Sequence, residues 1–193
     1  MSELTKWKLK KSHFVLDNQW SRVRRDEVEL PDGTVIDDFF VNVRPDIAVV
    51  FALTPQEEII FVRQYRHGVG EILLELPAGS FNPETESSES AAARELAEET
   101  GYVSEKMLPL ATLYDSPVKD TNSIHLFVAK NVVKKEEEIK LDVTEEIEVI
   151  LIPISQAMER IIDGEICVAG SISAIFLALE YLRKNDNKSG GFQ

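Results

Sequence analysis

Residues 79–102 read GSFNPETESSESAAARELAEETGY, and the acidic cluster near the end of this stretch decides how the chain is interpreted. Glu95 and Glu99 are four residues apart, so a helix places both on one face, with Glu98 beside them. Like charges at this spacing destabilise an isolated helix unless something neutralises them. Arg94 precedes Glu98 by four residues and can neutralise that carboxylate. The other two carboxylates then favour a hard divalent cation, which prefers oxygen ligands.

The residues around this cluster predict where its helix begins and ends. Ser87 or Ser88 is suited to cap the helix N-terminus, and Gly101 is suited to end the helix in the left-handed conformation. Between them lie three strong helix formers: Ala91, Ala92 and Ala93. Upstream, an apolar strand-like run ends at Leu76, and a loop follows. We therefore expect a strand, a loop, a helix and a second loop, with the backbone carbonyl of Ala78 completing a metal shell.

These residues resemble the signature of the Nudix hydrolase family, which is a glycine, a glutamate and then R-E-U-x-E-E-x-G-U, where U is aliphatic or aromatic. Residues 94–102 match the second part, and Glu86 stands at the expected spacing before Arg94. Six residues separate Gly79 from Glu86, one more than the family usually has. We interpret the extra residue as an insertion near Asn82 that leaves the helix register intact. A solvated acidic surface helix, the alternative, explains neither the flanking glycines nor Arg94.

The resemblance implies an α/β fold, namely the Nudix α/β/α sandwich with a mixed sheet, preceded by a small β-rich N-terminal segment. We expect the N-terminal segment at residues 1–44, the Nudix domain at residues 45–184 and a flexible tail at residues 185–193. A β-rich segment before the domain resembles the ADP-ribose and nucleoside diphosphate sugar pyrophosphatase branch. In that branch the N-terminal part exchanges across a homodimer and helps to build the substrate pocket, so a homodimer is implied here.

Pro117, sixteen residues after Gly101, is a second marker of that branch. A proline at this offset resembles the ADP-ribose-type subgroup and is assigned to substrate binding, although a loop proline also has the plain role of fixing φ. The subgroup often continues with a glycine and then a glutamate near position 122, whereas residues 118–122 of this chain read VKDTN. Another nucleoside diphosphate sugar therefore stays an alternative to ADP-ribose.

Apolar runs separated by turn signals predict the strands. Val28 and Leu30 alternate with charged residues, residues 31–33 are a turn signal, and residues 34–40 return as a strand. Residues 47–53 are almost continuously apolar, as expected for a strand buried on both faces. Further strands are predicted at residues 59–65, 72–76, 108–113, 124–129 and 147–154.

Two helices are predicted after the last strand. Ser155 is expected to cap the first of them, which Gly164 ends. Ser171 is expected to cap the second, whose apolar side carries Ile175, Leu179 and Leu182. His125 sits within an apolar strand and is interpreted as structural.

The charge of the 193-residue chain limits the classes of partner. The formal net charge is −13, which argues against a general nucleic-acid binder. Residues 1–25 hold seven Lys or Arg against two acidic residues, a net charge of +5, so the remainder carries −18. A protein this acidic needs cations to act on a diphosphate, and Mg²⁺ together with a few arginines supplies them.

Other features of the sequence indicate a cytoplasmic protein. The first residues, MSELTKWKLKK, lack the apolar segment of a signal peptide, and no apolar run is long enough to span a bilayer. Cys167 is the single cysteine, which allows no internal disulfide and fits a reducing compartment. We therefore expect a small-molecule substrate, with neither nucleic acid nor a membrane as partner.

Arg63 and Arg66 are predicted to bind phosphate oxygens, because they resemble the arginine-rich strand end of the subgroup and arginine forks match phosphates. The alternative is a surface strand end held by salt bridges. Trp20 with Arg22 is predicted to clamp a nucleobase by stacking, against the alternative of a Trp in the core or in a dimer interface. Glu75 is expected either to orient the metal site or to pair with an arginine.

The acidic residues of the signature are assigned to a metal. Glu95 and Glu99, with the Ala78 carbonyl, are the expected ligands of Mg²⁺, and Mn²⁺ is the alternative ion. Glu98 is either a further ligand or a general base, with Arg94 orienting it.

In similar ADP-ribose enzymes the base is often a glutamate of a later loop, just before a strand. Glu145 is the first candidate for this base and Glu146 the second, against the alternative of a solvated acidic loop. The expected reaction is NDP-X + H₂O → NMP + X-phosphate, where X is ribose or another sugar. Two alternatives stay open: a hydrolase of another nucleoside diphosphate derivative, of dinucleotide or coenzyme A type, and a non-catalytic nucleotide-sugar sensor.

Overall fold

The computed structural model describes residues 4–135 and 146–189, with side chains described as far as residue 185. The chain divides into two compact units, and one loop of its second half belongs with the N-terminal segment. Unit 1 comprises Met1–Pro45 and Tyr114–Ser123, and unit 2 comprises Asp46–Leu113 and Ile124–Gln193. Within the described ranges, every helix is too short or too polar to cross a membrane.

Unit 1 is built on an antiparallel sheet of three strands, β1 (Lys8–Asp17), β2 (Arg22–Glu29) and β3 (Val35–Asn42), in the order β1-β2-β3. The Leu30 N–H donates to the Thr34 carbonyl across the β2–β3 turn, where Gly33 takes a left-handed φ of 86° that suits a residue without Cβ. This is the turn predicted at residues 31–33.

Residues 114–123 join unit 1 through Asp120. Its carboxylate accepts hydrogen bonds from the Asn42 side chain at 2.7 Å and from Arg44 at 3.0 Å. The hydrogen bond from Asn42, followed by the hydrogen bond and the charge of Arg44, holds the pKa of Asp120 below its ordinary value. Asp120 is therefore a structural carboxylate that ties this loop to the end of β3.

The strands and helices of unit 2 alternate along the chain. The strands are β4 (Asp46–Leu53), β5 (Glu58–Arg66), β6 (Glu71–Glu75), β7 (Ala78–Phe81), β8 (Tyr102–Val103), β9 (Leu108–Leu113), β10 (Ile124–Lys130), β11 (Val133–Lys134) and β12 (Ile147–Pro153). The helices are α1 (Ser88–Thr100), α2 (Ala157–Ile162) and α3 (Ala169–Ser189), with a 3₁₀ turn at Ile154–Gln156.

Seven of these strands form one mixed sheet, whose main path is β12-β5-β4-β10-β9. β10 runs parallel to β4, whereas β9 and β12 pair antiparallel with their neighbours. β6 pairs with β5 and β7 pairs with β4, so the segment from residue 71 to residue 81 passes from one strand to the other. That passage brings the loop of the signature to the middle of the sheet.

Helices cover both faces of this sheet, which confirms the expected α/β/α sandwich. The face covered by α1 (the α1 face) and the face covered by α2 and α3 (the α3 face) take alternate residues of β4. Even-numbered residues face α1, namely Ala48, Val50 and Ala52. Odd-numbered residues face α2 and α3, namely Val49, Phe51 and Leu53. Burial on both faces explains the almost unbroken apolar run at residues 47–53.

Residues 78–81, which the sequence predicts as a loop, form strand β7. They pair with β4 over four positions, from Ala78 opposite Val49 to Phe81 opposite Asp46. The prediction of a loop is therefore wrong, because backbone pairing to the buried β4 outweighs the turn preference of the Pro77-Ala78-Gly79 sequence.

The C-terminal helices lack the predicted serine caps, whereas α2 ends just before Gly164, which has a left-handed φ of 80° as expected for a helix end. Ser155 lies inside the 3₁₀ turn and makes no capping hydrogen bond. Helix α3 begins at Ala169, ahead of Ser171, whose hydroxyl accepts a hydrogen bond from the Leu76 N–H at 2.9 Å. The same helix continues to Ser189, beyond residue 185, where the flexible tail was predicted to begin. Ser171 thus joins the helix to the sheet instead of capping it.

Candidate active site

Helix α1 has the boundaries that the sequence predicts. Ser87 is the N-cap: its backbone is extended (φ −76°, ψ 149°) and its hydroxyl accepts a hydrogen bond from the Ser90 N–H at 3.1 Å. Gly101 ends the helix at a φ of 72°, and its N–H donates to the Ala97 carbonyl at 2.9 Å. Two glutamates lie among the residues that the helix buries: Ala91, Ala92, Glu95, Leu96, Glu99 and Thr100.

Glu95 and Glu99 are buried against strand β7, with exposed fractions of 9% and 3%. The Glu99 carboxylate accepts a hydrogen bond from the Ala78 N–H at 3.0 Å. The Glu95 carboxyl group lies so close to Gly79 that a Cβ built on this glycine would overlap with it. A side chain at position 79 would therefore displace Glu95, which explains why glycine opens the signature.

Arg94 binds three carboxylates at once. Its Nε and Nη2 each donate to one oxygen of Glu86 at 3.0 Å, in a bidentate pair. Its Nη1 donates to Glu98 at 3.0 Å and to Glu95 at 2.6 Å. The i,i+4 spacing predicts only the Glu98 contact, so the role of Glu86 was missed. The Arg94 hydrogen bonds hold the pKa of Glu86 below its ordinary value, and Glu86 is the main cause of the raised pKa of Arg94.

The extra residue between Gly79 and Glu86 is accommodated in a turn. The Asn82 carbonyl accepts hydrogen bonds from the N–H groups of Thr85 and Glu86, both at 3.0 Å, and its side chain accepts one from the Glu84 N–H at 3.0 Å. Glu86 still reaches Arg94 from the end of this turn. The predicted insertion near Asn82 therefore leaves the pairing with the helix intact.

We expect Arg94→Gln to lower the thermal stability of the protein at neutral pH and less so in acid, because it leaves neighbouring carboxylates without their shared cation. Since the folded-state pKa of Glu86 lies below its ordinary value of 4.5, the stability from its pairing with Arg94 is present above that pH and is lost as the pH falls through the folded-state pKa. Thermal unfolding should show a Tm loss of roughly 2–4 °C at neutral pH, equivalent to about 1 kcal/mol.

The same scans at about pH 3, where unpaired carboxylates are protonated, should show a smaller loss. Arg160→Gln, which breaks an ion pair with Glu165 outside this cluster, is the matched control. An Arg94→Gln difference that does not change with pH would contradict the assignment of the effect to carboxylate charge.

Strand β5 divides the two predicted phosphate-binding arginines between opposite faces of the sheet. Ile60 packs on the α1 face and Phe61 on the α3 face. Because side chains alternate along a strand, Arg66 lies on the α1 face with the helix carboxylates and Arg63 lies on the α3 face. The structure therefore does not bring these two residues together.

The partners of the two arginines agree with this division. The Arg66 Nε donates to Glu75 at 2.6 Å, which is the pairing that the sequence allowed for Glu75. Arg63 pairs with Glu148 at 3.1 Å and with Glu165 at 3.7 Å. The alternative interpretation, a strand end held by salt bridges, thus describes the surroundings of both arginines.

The predicted base-binding residues lie in unit 1. Trp20 occupies the β1–β2 turn and is 78% exposed, so it is not a core residue. Arg22 forms an ion pair with Asp17 at 2.7 Å, and its guanidinium carbon lies 4.4 Å from the centre of the Phe14 ring. The stacking partner that the structure shows for Arg22 is therefore Phe14. Pro117 lies in the turn of the 114–123 loop.

Of the two candidates for the loop base, the structure describes only the second. Glu145, the first candidate, lies outside the described residues. Glu146 is exposed and directly precedes β12, whose first residue, Ile147, is paired with Gln64 of β5. Both assignments stay predictions.

His125 makes contacts near the signature loop that sequence reasoning missed. Its Nε2 lies 2.9 Å from the Asp46 carboxylate and its Nδ1 lies 3.3 Å from the Thr112 hydroxyl. Its ring meets the Phe81 ring of β7 edge-on, with 5.4 Å between the ring centres. These contacts depend on the parallel register of β4 and β10, which no local pattern encodes.

The donor set of the signature fits a hard cation. As the side chains stand, no group of three His, Cys, Asp or Glu within the described ranges is arranged around a metal position. Four carboxylates (Glu86, Glu95, Glu98 and Glu99) are nevertheless clustered with one guanidinium, so the ionised group sums to −3. All are hard oxygen donors, and the missing Cβ of Gly79 leaves the space that the Glu95 carboxylate occupies.

Two family descriptions match consecutive parts of the chain: a nucleoside diphosphate sugar hydrolase N-terminal domain over residues 7–42, and a NUDIX domain over residues 43–166. A methanol dehydrogenase activator from Bacillus methanolicus is 32% identical over 183 residues, which are 95% of this chain and 96% of that protein. An ADP-ribose pyrophosphatase from Bacillus subtilis (strain 168) is 33% identical over 150 residues, covering 78% and 80%. The crystal structure of an ADP compounds hydrolase superposes with a TM-score of 0.84 at 23% identity, covering 96% and 98%, and shows the same fold.

The chain belongs to the Nudix family, because the family's domain matches well over half of its length. Within that family it is a pyrophosphohydrolase of the ADP-ribose and nucleoside diphosphate sugar branch, as the resemblance of its β-rich N-terminal segment implied. Nudix hydrolases generally use divalent metal ions, and the carboxylate cluster of α1 has the chemistry to hold one.

Proposed function

We propose that this protein hydrolyses the pyrophosphate bond of ADP-ribose or of another nucleoside diphosphate sugar, with Mg²⁺, to a nucleoside monophosphate and a sugar phosphate. The observation that carries the proposal is the pair of buried carboxylates, Glu95 and Glu99, fitted against the backbone of β7 at Gly79. The match of residues 7–42 to the N-terminal domain of nucleoside diphosphate sugar hydrolases supports the substrate class.

Glu95, Glu99 and the Ala78 carbonyl are the proposed ligands of Mg²⁺, with Mn²⁺ as the alternative ion and Glu98 as a further ligand. When bound, the ion reduces charge on the phosphoryl oxygens and lowers the pKa of a bound water. The protein's own hydrogen bonds hold the carboxylates of the proposed metal site in place. The Ala78 N–H holds Glu99, and Arg94 holds Glu98 and Glu95 on the same helix.

A carboxylate is proposed to accept the proton of the attacking water. Glu98 is supported by its place beside the buried pair and by a side chain that is 38% exposed. Glu145 and Glu146 are supported by their position just before β12, as in similar enzymes. The pH profile of kcat/KM for the three Glu→Gln variants separates them, because only loss of the base removes the acidic limb of the profile.

Arg66 is the proposed phosphate ligand, because it lies on the α1 face with the carboxylates and its side chain is 42% exposed. Arg63 is the second predicted phosphate ligand, but it lies on the α3 face, where it pairs with Glu148 and Glu165, so Arg66 is favoured for this role. A guanidinium can bind two phosphate oxygens at once, which suits a diphosphate.

Unit 1 is proposed to hold the nucleobase and to form a homodimer. β1 lies at the edge of its three-stranded sheet and exposes several large apolar side chains, which is typical of a strand covered by a second chain: Leu9, Phe14, Val15 and Leu16. Trp20 is proposed to stack on the base, and Arg22 and Pro117 are proposed as further substrate-binding residues. Sedimentation velocity should give the mass of a dimer, and a monomer at assay concentrations would exclude this part of the proposal.

The proposed activity is tested with a substrate panel in Mg²⁺ and in EDTA: ADP-ribose, ADP-glucose, GDP-mannose, UDP-glucose and NADH. We expect AMP to be released from ADP-ribose only in Mg²⁺. Preference for another nucleotide sugar would keep the chemistry and assign specificity to the 114–123 loop. Trp20→Ala in the same panel should raise KM more than it lowers kcat. Binding without turnover of any member would favour a sensor.

A second candidate role is activation of an alcohol-oxidising dehydrogenase. The relative named as a methanol dehydrogenase activator is aligned over 95% of this chain, which includes both units. Assays of that dehydrogenase with wild type and Glu99→Gln test this role. A rate increase with wild type alone would link activation to hydrolysis, and no increase would exclude it.

We also propose a cytoplasmic location. The single cysteine, Cys167, is exposed and therefore suits a reducing compartment better than an oxidising one. Fractionation of cells that produce the protein tests this, and recovery outside the cytoplasmic fraction would exclude it.

A further inference from the structure

Glu75 is a buried carboxylate that the proposed reaction leaves without a role. It is 8% exposed and lies at the end of β6, three residues before Ala78. Leu74 and Leu76 pack on the α3 face, so alternation places Glu75 on the α1 face. That face also carries Arg66 and the helix carboxylates, so Glu75 belongs to the surroundings of the proposed site.

Glu75 binds the Arg66 guanidinium at its Nε group and leaves the two Nη groups to other partners. The Glu75 Oε2 accepts from the Arg66 Nε at 2.6 Å, and no other described residue accepts a hydrogen bond from the two Nη groups. The Glu75 side chain is 10% exposed and that of Arg66 is 42% exposed. A guanidinium held through Nε from a buried anchor presents its two Nη groups side by side. Those two groups match two oxygens of one phosphate.

A second polar side chain lies beside this pair. Gln64 precedes Arg66 by two residues and therefore shares its face of β5. It is 5% exposed, and its Nε2 has no hydrogen-bond partner among the described residues. Buried polar groups are nearly always paired, so this amide calls for an explanation. Polar side chains therefore line this end of the sheet on its α1 face, whereas the strand residues nearer the middle of that face are apolar.

We propose that Glu75 is a positioning residue that holds the Arg66 guanidinium so that both Nη groups bind one phosphate of the nucleoside diphosphate. The inference rests on the proposed function, in which Arg66 is a phosphate ligand. The chain contains a control pair with a different geometry, because Arg63 of the same strand donates through Nη1 to Glu148, an exposed glutamate, on the opposite face.

The test compares Glu75→Gln, Glu148→Gln, Arg66→Ala and the double variant Glu75→Gln/Arg66→Ala. Two quantities are measured: the Kd of inorganic pyrophosphate by calorimetry in Mg²⁺, and KM and kcat for ADP-ribose. Loss of the Glu75 charge, which leaves only a neutral amide oxygen to hold the Arg66 Nε, should weaken pyrophosphate binding and raise KM by about tenfold in Glu75→Gln, with a smaller change in kcat. Glu148→Gln should resemble wild type. In the Arg66→Ala background, Glu75→Gln should add nothing, since Glu75 acts through Arg66.

Other outcomes overturn the inference. Each of four results would contradict it: unchanged pyrophosphate binding in Glu75→Gln, an equal loss in Glu148→Gln, a Glu75→Gln effect that persists without Arg66, or a wild type that does not bind pyrophosphate. If Glu75→Gln does not fold, Arg66→Lys, which keeps the charge without the fork, replaces it and should weaken binding similarly. Pyrophosphate binding with the expected pattern but no cleavage of any nucleotide sugar would support the inference while the proposed function fails.

Discussion

Glu99→Gln is expected to lower kcat by about a thousandfold or more while the protein keeps its fold, which corresponds to about 4 kcal/mol of lost transition-state stabilisation. Glutamine has the shape of glutamate, and its Oε1 can still accept the hydrogen bond from the Ala78 N–H. What the variant loses is a negative charge on a side chain that is 3% exposed. A hard divalent cation depends on that charge, so the loss should fall on catalysis and not on folding.

Steady-state hydrolysis of the best panel substrate over a range of Mg²⁺ concentrations, together with thermal unfolding, measures both effects. Glu89→Gln is the matched control, because Glu89 is an exposed glutamate in the first turn of the same helix. We expect the control to retain wild-type kcat. Wild-type activity of Glu99→Gln at saturating Mg²⁺ would show that Glu99 is not a metal ligand.

Gly79→Ala is expected to cost stability and activity together, although it adds a single methyl group. That methyl would overlap with the Glu95 carboxyl group, which is buried and bound by Arg94 and so has little freedom to move. Overpacking of this kind costs about 1–3 kcal/mol. Displacement of a site residue by on the order of 1 Å lowers kcat/KM by about a hundredfold. Thermal unfolding and kcat/KM measure the two effects.

Two other glycines provide controls with the same chemical change. A Cβ on Gly68 or on Gly170 would meet no atom within 4 Å. Gly170→Ala, near the start of α3, should be neutral or stabilising by up to about 1 kcal/mol, because alanine favours the helix. Wild-type behaviour of Gly79→Ala would mean that Glu95 moves aside freely, and the close fit at β7 would then have no catalytic importance.

Local patterns in the sequence were sufficient for the central strands and for α1. The apolar run of β4 reflects burial on both faces, and Ser87 and Gly101 provide the N-cap and the left-handed end of the helix. The i,i+4 spacing also predicted the contact between Arg94 and Glu98. Each of these features depends on residues close together in the chain, so the sequence alone contains the information.

Contacts between distant segments were not predictable in the same way. β7 is a strand because β4 offers it a partner, and the His125–Asp46 contact depends on the parallel pairing of β4 with β10. The separation of Arg63 from Arg66 is different, because a signal existed. Residues an odd number of positions apart on one strand face opposite sides, so the spacing of three already predicted that the two side chains lie on opposite faces of the sheet.

The turn at residues 82–86 is a suitable place to insert a foreign peptide into this protein. A one-residue insertion in β4 would exchange the side chains that face α1 with those that face α3, so that strand cannot change in length. The turn has already absorbed one residue, and Pro83 and Glu84 at its tip are exposed. Because the cost of closing a loop grows slowly with its length, a peptide tag or a sensor loop inserted between Pro83 and Glu84 should leave the Arg94–Glu86 pair able to form.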